Sequence, residues 1–237
     1  MKAIASRTCL SLLLTSILVG VATPQEGDAT KPALPKQAYD AIGRFKIPSG
    51  FTASLWAAEP DLANPVAFCF DSLGRMYVAE TFRQETEGVP DNRSHRYWLE
   101  DDLRLQTVEQ RGEMYLMHHP EYATEWTDKE DRISILQDLD GDGVVDISGV
   151  FAGGFTDLLD GTGAGVWAWG KDVWYTCIPN LWKLTDEDQD GVADAREVVH
   201  HGYGVRVAFR GHDMHGLVLG PDGRLYFSIG DRGYNVV

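Results

Sequence analysis

The sequence predicts an all-β fold assembled from repeated four-stranded units, a β-propeller, and three observations carry that expectation. A pattern of apolar strand, Gly/Asp turn and apolar-aromatic strand occurs three times, at 70–78, 169–176 and 219–227. Its shared tyrosines lie 51 residues apart between Tyr175 and Tyr226 and 98 apart between Tyr77 and Tyr175. The surplus of 47 is about the length of the charged stretch 83–129, which reads as an insertion in the first unit. A period near 50 residues with four strands per unit marks a propeller blade. A β-sandwich would show the same alternation without the fixed repeat.

Taken in order, the chain opens on an address label. Lys2 and Arg7 precede an uncharged apolar core from Cys9 to Val21, and Gly20-Val21-Ala22 offers a cleavage site with Pro24 beyond. Residues 1–22 are therefore expected to be a signal peptide that exports the protein to the periplasm or cell envelope; an uncleaved anchor is the competing reading. Residues 23–44, with Pro24, Pro32 and Pro35, have a linker composition. Structure is expected from Phe45 onward, as the N-terminal part of a propeller over 45–237. The first blade spans 66–155 with its partly helical insertion, where Thr107 and Gln110 stand at capping-box spacing. A second blade covers 164–204 and a third begins at 214, about two and a half blades in all. Closure needs roughly four to eight blades. The expectation is that this is a fragment of a longer chain.

Apolar residues make up 43% and charged residues 24%, a globular balance. The formal charge of −15 excludes a nucleic-acid partner, because phosphate binding needs a basic face. Cys69 sits in the apolar run Val66-Ala67-Phe68-Cys69-Phe70 and reads as a small buried hydrophobe. Whether it pairs with Cys177 is left open by the sequence.

The most specific chemical motif occurs twice. Asp138, Asp140, Asp142 and Asp146 stand at positions 1, 3, 5 and 9 of a loop with Gly143 at position 6, and Asp186, Asp188, Asp190 and Asp194 repeat this around Gly191. Such spacing wraps oxygens around a hard cation, with the carbonyls of Val144 and Val192 at position 7. Glu197 occupies position 12 of the second loop, where Gly149 stands in the first, so the second is expected to bind calcium more tightly. Both loops are flanked by strand-like runs (Arg132–Leu136 and Leu181–Leu184), so calcium would pin β-hairpins and play a structural part. The bland alternative is a pair of Asp/Gly turns with solvated carboxylates. His118-His119 and His200-His201 sit in polar surroundings and read as surface residues.

The stretch 211–235 resembles the soluble quinoprotein glucose/sorbosone dehydrogenases, six-bladed propellers that use pyrroloquinoline quinone. Gly220, Pro221, Asp222, Tyr226, Gly230, Asp231, Gly233 and Asn235 match that family's pattern without a gap, and His212 falls on its catalytic histidine. Two positions depart from it: the family's Asp before the histidine is Gly211 here, with Asp213 after it, and its Gln in the last motif is Arg232. Over 45–237 the chain looks closer to a planctomycete-type exported "membrane-bound dehydrogenase" propeller, through Ile47-Pro48-x-Gly50-Phe51, Ala58-Glu59-Pro60, Gly74–Thr81 and the two aspartate loops.

The resemblance implies a six-bladed propeller when complete, of the quinoprotein-dehydrogenase and NHL-like type, that oxidises a sugar or polyol. It implies quinone contacts at Asp231 and Asn235, and a c-type haem domain downstream or a partner as electron acceptor. No Cys-x-x-Cys-His occurs, so this chain attaches no c-type haem covalently. His212 would be the general base, its tautomer held by Asp213 or Asp231, with His215 the rival three residues on. The second function class is a non-catalytic calcium-stabilised propeller that binds carbohydrate or a partner protein in the envelope.

Overall fold

The computed structural model describes residues 34–84, 88–209 and 211–236. The expected signal segment and residues 23–33 of the expected linker lie outside them. The rest of that linker differs from expectation, because Lys36–Ile42 forms a short helix, α1. Pro35 sets its entry with φ −58°, and Lys36 Nζ lies 2.7 Å from the Asp40 carboxylate one turn on. No residue of α1 is fully buried.

Ten strands among the described residues build three antiparallel sheets, and none closes into a barrel. β1 (Pro65–Phe70), β2 (Met76–Glu80), β3 (Asp131–Gln137) and β4 (Ile147–Phe155) pair in chain order. The same order repeats in β5 (Gly165–Trp169), β6 (Asp172–Cys177), β7 (Asn180–Thr185) and β8 (Ala195–His201). A two-stranded sheet of β9 (Met214–Leu219) and β10 (Leu225–Ile229) follows. The hairpin turns fall where the Gly/Asp pattern puts them. Gly74, Gly170 and Gly223 all have φ between +64° and +80°, which only a residue without Cβ adopts freely.

Alternation along the strands sorts the faces. Ala67, Cys69, Tyr77, Ala79, Ile133 and Ile135 of the first sheet meet Val166, Ala168, Val173, Tyr175, Cys177 and Leu184 of the second in one buried cluster. Trp167, Trp174 and Leu181 point out of the second sheet's other face and pack on Met214, Leu217, Leu225, Phe227 and Ile229 of the third. The sheets are thus stacked face on face. Both thiols are free within this interior, and burial pushes the Cys69 thiol up to about 11.

The connection from β2 to β3 is helical: α2 (Leu99–Arg104), α3 (Val108–His118) and α4 (Tyr122–Glu125). Thr107 caps α3 by accepting the Gln110 N–H, while the Gln110 side chain accepts from the Gln106 N–H, one residue before the cap. Trp98, Tyr115, Tyr122 and Trp126 form its core with Val205 and Val207. No helix among the described residues is long and apolar enough to cross a membrane.

The outermost faces of the stack are left apolar. Val66, Phe68 and Phe70 of β1 are exposed, as are Val218 and Tyr226 of the last sheet. Contiguous apolar surface of this kind drives association. The described chain should therefore self-associate, and Phe68→Ser, at a side chain 63% exposed, should lower its apparent mass in light scattering without lowering its melting temperature.

Candidate functional site

Chain direction divides the functional residues between two ends of the stack. The turns 71–75 and 170–171 and the aspartate loops 138–146 and 186–194 leave from one end, where Arg75 Nη1 lies 3.9 Å from Asp186 Oδ2. The helical insertion and the segment 202–213 leave from the other, where Asn235 Nδ2 donates to the Gln106 carbonyl. Most of the strands run five to seven residues, which separates the ends by about 15–20 Å.

The two aspartate loops have nearly the same construction. In the first, Asp138 accepts the N–H groups of Gly141 and Gly143 at 2.8 and 3.0 Å. In the second, Asp186 accepts those of Asp190 and Gly191, each at 3.1 Å. Position 6 turns with φ +86° at Gly143 and +92° at Gly191. Asp146 and Asp194 each close their loop by accepting the N–H of the second residue, Leu139 or Glu187, at 2.7 Å. Asp138, Asp140 and Asp146 bring carboxylate oxygens within 4.8 Å of one another, and so do Asp186, Asp188 and Asp190. This all-oxygen donor set fits a hard cation such as calcium. Asp142 and Asp194 lie outside these groupings, each held to backbone, Asp142 by accepting the Val144 N–H.

Two findings remove the ground for ranking the second loop above the first. Glu197 is not among the carboxylates that gather at the second loop. β8 continues as a strand where an EF-hand would turn into a helix, and Glu197 stands opposite Lys183, up the ladder and exposed. Arg75, itself 2.6 Å from Asp71, also sets a buried positive charge beside Asp186. A ligand bound only by the folded state stabilises it by about 2.7 kcal/mol at a hundredfold excess over its dissociation constant. Calcium should therefore raise the melting temperature relative to chelator. Asp140→Ala and Asp188→Ala should each remove a similar part of that shift in scanning calorimetry.

At the other end His212 Nδ1 lies 2.8 Å from Asp231 Oδ1, and both side chains are about half exposed. Nδ1–H donates to the carboxylate, which leaves Nε2 with its lone pair and no partner among the described residues. Of the two residues expected beside the ring, Asp231 is the one in contact with it. His215 is differently placed: Nε2 lies 2.9 Å from the Gly211 carbonyl and Nδ1 3.3 Å from that of Ala164, so it presents no open nitrogen.

Asp213 turns inward. It is fully buried, with Oδ1 2.9 Å from Arg232 Nε, and Arg232 is fully buried too. The two departures from the resembled pattern are thus one ion pair. Its alignment is poor: neither group completes a hydrogen bond by geometry, so charge attraction holds it. Of the positions expected to contact a quinone, Asp231 pairs with His212 and Asn235 donates to the insertion, while neighbouring Arg232 is enclosed.

Residues 37–102 and 100–237 match a family model described as Domain of unknown function (DUF7133). The chain belongs to the DUF7133 family. No curated protein and no solved structure matches it.

Sequence reasoning missed several groups at the His212 end of this DUF7133 chain. The Arg93 guanidinium lies 5.0 Å over the Phe209 ring, whose centroid is 5.7 Å from that of the His212 ring, the two planes at 77°. The other histidines are tied to partners: His118 to Asp101, His119 to Glu121 and Tyr97, His200 to Tyr203, and His201 to Asn180. Beneath them lie buried Arg83, Arg111 and Arg232 with Asp131, Asp160 and Asp213. Their spacing gave no local signal.

Burial raises the Asp160 carboxyl to about 6, although Arg83 opposes the rise. A raised acid contributes stability that is present below its unfolded pKa, near 4, and lost as pH rises through about 6. Asp160→Asn should flatten the decline in unfolding free energy between pH 4 and 7 by up to about 3 kcal/mol in denaturant titrations.

Proposed function

We propose that the chain forms blades of an exported β-propeller that removes a proton from a hydroxyl of a sugar or polyol at His212, with two calcium-pinned hairpins at the opposite end. The propeller reading is supported by two four-stranded sheets of identical order, each with an aspartate loop between its third and fourth strands. It is supported too by β1 and β2 packing on β5, and β5 and β6 on β9. Apolar outer faces on the first and third sheets suit further blades stacked against them.

The observation that carries the catalytic part is the His212–Asp231 pair. Asp231 accepts from Nδ1, so the exposed Nε2 is the nitrogen able to take a proton from a hydroxyl. His215 can take that role only by giving up a backbone contact at the nitrogen it would use. A quinone as hydride acceptor rests on the resemblance, and no step is assigned to it here.

A second reading, the non-catalytic calcium-stabilised propeller that binds carbohydrate or a partner protein, is favoured by Asp231, Asn235 and Arg232 being already engaged. Dye reduction with quinone, calcium and a panel of sugars and polyols separates the two. The catalytic reading expects turnover that falls 10²–10⁴-fold in His212→Ala, the usual effect of losing a general base, and little in His215→Ala. No reduction by wild type supports the scaffold. Loss in His215→Ala alone overturns the assignment of the base.

A further inference from the structure

The face of the second sheet that looks toward β9 and β10 carries three tryptophans. Trp167 and Trp169 stand two residues apart on β5, their rings 23° from parallel with centroids 5.8 Å apart. Trp174, the cross-strand neighbour of Trp167, lies 5.0 Å from it at 45°. With Leu219, Gly223 and Leu225 of the last hairpin they line a cleft of about 420 Å³. That volume falls in the range of small-molecule sites, roughly 300–1,000 Å³. Trp167 and Trp174 also pack into the core between the sheets, but Trp169 is 62% exposed. A flat, rigid ring is therefore presented to solvent beside a concave apolar site.

Polar groups stand on the same face. Asp172 pairs across the ladder with Trp169, and Lys183 with Trp174. Lys183 Nζ lies 3.3 Å from Asp172 Oδ2, and Thr185 donates to Asp172 Oδ1 at 2.7 Å. Both charged side chains remain partly open to water. An acceptor carboxylate and a donor ammonium side by side suit two neighbouring hydroxyls, each of which gives one hydrogen bond and takes one. Tryptophan rings suit the C–H face of the ring that bears them.

We propose that this cleft binds a neutral pyranose sugar, its C–H face stacked on Trp169 and its adjacent hydroxyls toward Asp172 and Lys183. The cleft opens at the far end of β9 from His212, about 20 Å away at the rise of a strand, so one ring cannot occupy both. The inference does not rest on the general-base reading.

The test is titration of the full chain with glucose, galactose, mannose, xylose, N-acetylglucosamine and their β-1,4 disaccharides, read by tryptophan fluorescence and calorimetry. At least one sugar should saturate. Trp169→Ala should weaken it about tenfold or more, Trp169→Phe should retain most of the affinity, and Lys183→Met should weaken it. Trp169 is exposed, so unchanged melting curves will show that its variants fold. Binding of none of these sugars overturns the proposal, as does equal affinity in Trp169→Ala. Tetramethylammonium giving the fluorescence change where no sugar does would also overturn it, in favour of a cation cage.

Discussion

One buried guanidinium fastens the helical insertion to the sheets. Arg83, just past β2, is fully enclosed and donates to the carbonyls of Trp126, Asp157 and Asp160 at 3.0, 2.8 and 3.1 Å. Those carbonyls belong to the end of the insertion and to the connection between the two large sheets. Without the guanidinium each would lose a partner in a dry place, at about 1–3 kcal/mol apiece. Around it the same logic recurs. Arg111 Nη2 donates to the Leu159 carbonyl, and the Asp102 carboxylate accepts from the Val207 N–H and from Asn92 Nδ2. The helices are held by charge reaching backbone as much as by their aromatic core. The loop that presents His212 stands on this layer.

The opposite end is built by different means. There the carboxylates of the aspartate loops fold back on their own backbone N–H groups, while Arg75 stands between Asp71 and Asp186 and the Ala193 N–H donates to the Phe151 carbonyl across the sheets. One end is thus cemented by buried charges hydrogen-bonded to distant backbone and the other chiefly by short hairpin loops bonded to themselves. The local construction of the second kind explains why two copies of it can be nearly superimposable in bonding while the rest of their sheets differ.

That contrast also sets what the sequence could reveal. Strand alternation, the glycine turns and both aspartate loops are encoded within nine or ten residues, so period and spacing expose them. The Thr107 cap belongs to the same class. Arg83 with Asp160, or Asp213 with Arg232, join residues 77 and 19 positions apart, and no periodicity marks them. Position 12 is where the loop pattern says least: the 1-3-5-9 spacing is shared with loops that end in a helix, whereas here a strand sets Glu197 opposite Lys183. The helix at Lys36–Ile42 escaped because none of its residues is fully buried, and composition alone resembles a linker.

The enclosed pair Asp213–Arg232 constrains which substitutions this motif tolerates. Each partner flanks, in sequence, one member of the His212–Asp231 pair above it. Replacing either alone would strand an opposite charge in the interior, a penalty of roughly 3–5 kcal/mol against a total stability of about 5–15. A change at either position is therefore readily tolerated only with a matching change at its partner that leaves no lone charge and keeps the surface histidine in place.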